Sequence, residues 1–258
     1  MAGSRGNAWI LLKTLNPGLV DPAAAVAPVS DHRRRLYGRR LGRPLKPGRE
    51  SALAEWLPRL SVVIPERGAL DPVGLFGAAV DDVWLEVGFG SGEHLLAQSL
   101  ANPRIGIIGC EPFINGMAAL LAEIAREPAR ASQIRVLMDD ALPLIAALPD
   151  ASLGRVFVLF PDPWPKARHQ KRRFISPANL DALARVIRPG GELRVASDDQ
   201  GYIDWTLEHL PGHPGFQPLR SAAQWRDRPA DWPPTRYEAK AGLQGRKPAF
   251  FAFRRREA

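Results

Sequence analysis

A single cysteine, Cys110, in 258 residues excludes an intrachain disulfide framework and gives no thiol cluster for a metal. Apolar runs are short: Val156 to Phe160 is among the longest, far below the ~20 residues that a helical bilayer crossing needs. No basic start leading into a sustained apolar stretch marks a secretory signal, and no internal repeat is visible. A reducing cytoplasm is therefore the expected setting, with no membrane among the partners. Acid is missing where base is dense. From His32 to Arg49 there are eight Lys or Arg residues (Arg33, Arg34, Arg35, Arg39, Arg40, Arg43, Lys46 and Arg49) and no carboxylate.

What is present is a folded composition, 45% hydrophobic and 24% charged, with a net charge of +8 and a pI near 10.2. Such a balance favours a polyanionic partner, either nucleic acid or an anionic surface. The first thirty residues, with Pro17, Pro22 and Pro28 and no packing periodicity, read as a flexible tail, and residues 31–258 as one domain that includes the basic lead-in 33–49. A helix is predicted from Arg49 to Leu57, ended by Pro58, because Leu53 and Leu57 lie four apart with Ala52 and Trp56 beside them.

From Val83 a strand–helix rhythm begins. Strands are predicted at 83–88, 104–110, 134–138, 155–160 and 192–197, and helices at 94–100, 114–126, 142–148, 179–187 and 201–210. Nearly continuous apolar strands alternating with helices imply a parallel sheet covered on both faces. Pro189-Gly190-Gly191 reads as a turn. Pro248 to Arg255 alternates like a late strand, suited to an antiparallel edge or hairpin partner.

In such sheets ligands bind beyond the carboxyl ends of the strands. The first strand ends in Glu86-Val87-Gly88-Phe89-Gly90-Ser91-Gly92, where alternating glycines permit a tight turn and close approach to a ligand. The second ends at Glu111, nineteen residues past Gly92, placed for the hydroxyls of a ribose. The third ends at Asp139-Asp140: one aspartate, taken as Asp140, could accept from an adenine amino group while the other caps the next helix. Glu86 suits the cationic amino-acid part of a cofactor. This set describes an adenosine pocket without a pyrophosphate, which fits S-adenosylmethionine better than NAD. A dinucleotide favours G-x-G-x-x-G and a helix start clear of acids, and Glu93 stands there.

The fourth strand ends in Phe160-Pro161-Asp162-Pro163-Trp164-Pro165, whose prolines stiffen the backbone around Asp162. A carboxylate held rigidly beside the cofactor is a preorganised electrostatic element. Lys166, Arg168, Lys171, Arg172 and Arg173 follow, with His169 and Gln170 between them, in reach of phosphates flanking a target nucleotide. Asp198 ends the fifth strand on the side of Asp162. Thr235-Arg236-Tyr237-Glu238 can hydrogen-bond and stack a base.

Taken together, EVGFGSGEH (86–94), GCEPF (109–113), DDA (139–141), FPDPWPKARHQKRRF (160–174), ASDD (196–199) and TRYEAK (235–240) resemble the bacterial tRNA (guanine-N7-)-methyltransferases, and RRLYGRRLGRPLKPG (34–48) resembles their basic lead-in. The resemblance spans about Arg34 to Arg255. It departs from the family pattern at Pro165 and at Tyr237, where phenylalanine is expected. It implies a Rossmann-like class I methyltransferase α/β fold: a mostly parallel seven-stranded sheet with one late antiparallel strand and helices on both faces. It implies formation of 7-methylguanosine at position 46 of the tRNA variable loop, using S-adenosylmethionine. By the same resemblance Glu86, Glu111, Asp140 and Asp162 contact the cofactor, with the glycine turn, and Asp162 stands at the active site. Lys166, Asp198 and Thr235 to Glu238 contact the substrate base, and Arg168 to Arg173 touch the RNA. Another nucleic-acid methyltransferase acting on an amino group, or a non-catalytic RNA-binding protein on this fold, are the competing readings. Whether the chain is a monomer or homodimer is left open.

Overall fold

The computed structural model describes residue 38, residues 40–77 and residues 80–257, with the backbone but not the side chains of 236, 237, 240 and 241. The expected tail and Arg33, Arg34, Arg35 and Arg39 lie outside the described residues. Seven strands form one sheet: β1 (Asp82–Val87), β2 (Ile105–Cys110), β3 (Ile134–Leu137), β4 (Leu153–Leu159), β5 (Ile187–Ser197), β6 (Phe216–Pro218) and β7 (Ala249–Arg255). Their order is β3-β2-β1-β4-β5-β7-β6. The first five run parallel, and β7 lies antiparallel between β5 and β6. The late strand thus sits inside the sheet, with three-residue β6 as the edge beyond it. No periodicity marks so short a segment.

Alternation along the strands splits the core. Ile108, Val156 and Val158 face one side and pack with α4 (Ala141–Ala147), α5 (Pro177–Val186) and α6 (Gln200–His209). Ile107, Ile134 and Val136 face the other, with α1 (Pro47–Leu60), α2 (Glu93–Ala101) and α3 (Ile114–Arg126). A third apolar group, Trp84, Phe157, Leu159, Ala196, Phe250 and Trp232, extends that second side toward the tail. Helices on both faces account for strands that are apolar without alternation.

Two local expectations are corrected. Helix α1 does not stop before Pro58 but continues to Leu60, because Leu53, Trp56 and Leu60 share one buried face and Ser61 N still donates to Leu57 O. In the last turn proline's missing donor forfeits a single bond. Val62 N then donates to Val136 O, so the exit of α1 covers the β3 edge. The turn Pro189-Gly190-Gly191 is absorbed into β5 as a bulge: Leu153 faces Ile187 while Arg155 faces Glu192. A further helix, α7 (Arg236–Leu243), lies in the polar tail.

Candidate active site

Three glycines carry the chain from β1 into α2, and all three have positive φ: +70° at Gly88, +59° at Gly90 and +80° at Gly92. Only glycine takes this conformation repeatedly without strain. The turn is held from the second strand. Glu111 Oε2 accepts from Gly90 N at 2.7 Å, and its Oε1 accepts from Phe113 N at 2.9 Å. Glu111 is 7% exposed. Burial raises its pKa, the N–H groups of Phe113 and Gly90 oppose that rise, and the charges of Asp162 and Glu86 add to it. Acids from the ends of β1, β2 and β4 therefore converge on one place. Each Glu111 oxygen retains a lone pair for a ribose hydroxyl, as the adenosine reading requires.

At the β3 end the two aspartates divide their work. Asp140 is the cap of α4, its side chain accepting from Leu142 N at 3.0 Å. Asp139 Oδ1 accepts from Asp140 N and from Arg40 Nη2, each at 2.9 Å. The expected division, base to Asp140 and cap to its neighbour, is corrected in that Asp140 is itself the residue that caps the helix. The Arg40 contact was not legible beforehand. It belongs to a run in which Arg40 O accepts from Ile114 N and Arg43 O from Asn115 Nδ2, so the lead-in crosses the start of α3. A Cβ on Gly38 would lie 3.8 Å from Asp162 Oδ2, which brings the same segment to the Asp162 loop.

The loop after β4 is stiffer than its prolines alone require. Phe160 and Trp164 both have positive φ, +49° and +43°, a conformation that costs about 1–3 kcal/mol at a non-glycine residue and persists only when surroundings enforce it. Arg173 is part of that enforcement. It is 4% exposed; its Nε donates to Pro163 O at 2.9 Å and its Nη1 to Gly201 O at 3.2 Å. The guanidinium also lies 5.0 Å from the Trp205 ring. The expectation of an RNA contact at Arg173 is corrected: its donors point inward and bind the Asp162 loop to the start of α6. Its neighbours differ. Lys166, Arg168 and Lys171 are exposed, His169 and Gln170 half-buried, and Arg172 lies 4.9 Å from the Trp164 ring. His169 meets the same ring edge-on at 5.8 Å, and desolvation followed by the surrounding cations lowers its pKa.

The tail returns to this end of the sheet. Glu86, Gly88, Ser91, Leu159, Phe160 and Thr235 line one cleft. Thr235 Oγ1 accepts from Glu238 N at the start of α7, and Glu238 is paired with Arg228. Asp198 Oδ2 holds Arg246 Nη1 at 3.0 Å. The side chains of Arg236 and Tyr237 lie outside the described residues. Cys110 is buried, and its thiol is pushed up by that burial, which makes it an inert core group.

A parallel sheet reversed at its centre, a glycine turn without phosphate geometry and acids at successive strand ends define a class I methyltransferase. Consistent with this, a family model described as "Putative methyltransferase" matches residues 81–250. The solved 16S rRNA methyltransferase KamB shares the fold, with a TM-score of 0.50 at 19% identity over 69% of this chain and 90% of that one. A tRNA (guanine-N(7)-)-methyltransferase of Rhodospirillum rubrum is 51% identical, covering 86% of this chain and 88% of its own. Another, from Paramagnetospirillum magneticum, is 53% identical over 87% of this chain and 94% of its own. The chain belongs to the tRNA (guanine-N(7)-)-methyltransferase family. Such family membership and fold imply the use of S-adenosylmethionine.

Proposed function

We propose that this chain methylates N7 of a guanine in tRNA, at position 46 of the variable loop, with Asp162 as its catalytic residue. The observation that carries the reading is the meeting of Glu86, Glu111 and Asp162 around the glycine turn, in a chain half identical to curated enzymes of that name. Glu86 receives the cofactor's ammonium group, Glu111 its ribose and Asp140 its base. When bound, S-adenosylmethionine supplies an electrophilic methyl group on sulfur. Guanine N7 carries its own in-plane lone pair, so methyl transfer to it would call for no base to remove a proton. Positive charge then develops on the purine. Asp162, held by the strained loop, offers a fixed negative field and an acceptor for the guanine amino edge. Holding N7 in line with the methyl group contributes on the order of 7–11 kcal/mol in favourable cases.

Lys166, Asp198 and the Thr235–Glu238 segment frame the base. Arg168, His169, Gln170, Lys171 and Arg172 meet flanking phosphates, where contacts orient the RNA without reading its sequence. Residues 31–258 act as one domain in this scheme. Incubation with labelled cofactor and unmodified tRNA, followed by nucleoside analysis and mapping, tests it. We expect 7-methylguanosine at a single variable-loop site; 6-methyladenosine or an unlabelled RNA overturns the reading.

A further inference from the structure

Glu86 and His94 are buried together, each side chain 3% exposed, with His94 Nδ1 2.7 Å from Glu86 Oε2. The proton on the imidazole can be located from its neighbours. Gln98 Nε2 donates to the carbonyl oxygen of Asp231 at 2.9 Å, and Gln98 Oε1 accepts from Asn102 Nδ2 at 3.2 Å. A carbonyl oxygen only accepts, so the Gln98 amide must turn its NH2 group toward Asp231. That same NH2 faces His94 Nε2 at 3.3 Å. The Nε2 atom therefore presents its lone pair, and the ring proton sits on Nδ1, donated to Glu86. The ring packs against Phe157, edge-on at 4.6 Å, and against Trp232, tilted at 6.1 Å.

We infer that His94 is a positioning residue: as an uncharged Nδ1–H imidazole it ties down one oxygen of Glu86 and leaves the carboxylate's full negative charge for a primary ammonium group in the cleft. An imidazolium at the same place would cancel that charge; an apolar ring would leave the buried carboxylate short of a donor. Glu86 lines the cleft beside Gly88 and Ser91. The inference rests on the cofactor reading above, since it assigns the amino-acid end of that cofactor to Glu86.

Two nucleosides separate the possibilities: S-adenosylhomocysteine, which carries the ammonium group, and 5′-methylthioadenosine, which lacks the amino-acid part. Calorimetric titration of the full chain compares wild type with His94→Asn, whose amide reaches the Nδ1 position, and His94→Gln, whose amide reaches the Nε2 position. His94→Gln should weaken S-adenosylhomocysteine by about tenfold, the scale of one hydrogen bond to a charged group, with methylthioadenosine unchanged. His94→Asn should recover most of the loss. Independently, nitrogen-15 spectra of the unliganded wild type should show His94 as the Nδ1–H tautomer. Equal weakening of both nucleosides, no weakening of either, or an imidazolium or Nε2–H signature overturns the inference alone. A wild type that binds neither nucleoside overturns the cofactor reading and the inference with it.

Discussion

Asp162 is exposed in a loop whose shape is enforced by other residues, so its removal should leave the fold intact. Asp162→Ala is expected to bind tRNA as before while kcat falls by about 10²–10³, the loss typical of one preorganised electrostatic group. Single-turnover rates alongside tRNA binding check this, and full turnover removes Asp162 from the chemistry. Glu111 predicts a pH dependence. Its pKa is raised chiefly by burial, so protonation begins above the usual carboxylate range as pH falls, and a protonated acid accepts ribose hydroxyls poorly. S-adenosylhomocysteine affinity should therefore decline on the acid side, and Glu111→Gln should bind weakly at every pH. Titrations between pH 5 and pH 8 decide it; a flat wild-type profile counts against the ribose role.

At the scale of elements, neighbours in one basic run do different things. Lys171 is exposed, whereas Arg173 joins a carbonyl of the Asp162 loop to one in the first turn of α6. Lys171→Ala should reduce the slope of log K for tRNA against log salt by about 0.7–0.9, the release from one phosphate contact. Arg173→Ala should leave that slope alone but destabilise the protein by about 2–4 kcal/mol, since it leaves the Pro163 carbonyl without its donor and removes a buried side chain packed on Trp205. Denaturant unfolding and salt-dependent binding separate the two effects. The strand–helix rhythm around them could be read directly, because burial on both faces writes apolar runs into β1, β2 and β4. The direction of Arg173 could not: nothing in K-R-R distinguishes a guanidinium turned to Trp205 from one turned to solvent.

A second element-scale case is Gly116, on α3. A Cβ there would collide with the Gly90 carbonyl oxygen, so α3 meets the glycine turn backbone to backbone. Gly116→Ala is expected to cost about 1–3 kcal/mol of stability through that clash and to weaken S-adenosylhomocysteine by displacing the turn. Thermal unfolding with and without the nucleoside tests both. Sequence reading finds Gly88, Gly90 and Gly92 because they follow a strand at regular spacing. Gly116 carries no such pattern, and its need arises from two elements packed together.

For the whole molecule, composition and local pattern suffice to suggest a polyanionic partner and to mark the acids at the strand ends. A net charge of +8 with two dense basic runs, a glycine turn after an apolar run and acids at successive strand termini are all local or compositional signals. Tertiary structure decided what each of those groups faces. It made Asp140 the cap and Asp139 the partner of Arg40, turned Arg173 inward, and placed the proton of His94 through a chain ending at Asp231, far along the sequence. It also folded the tail back so that Thr235 shares a cleft with Glu86. The reason is physical. Spacing records which side of a strand or helix a residue occupies, but hydrogen-bond partners and burial depend on which distant segment packs against that side.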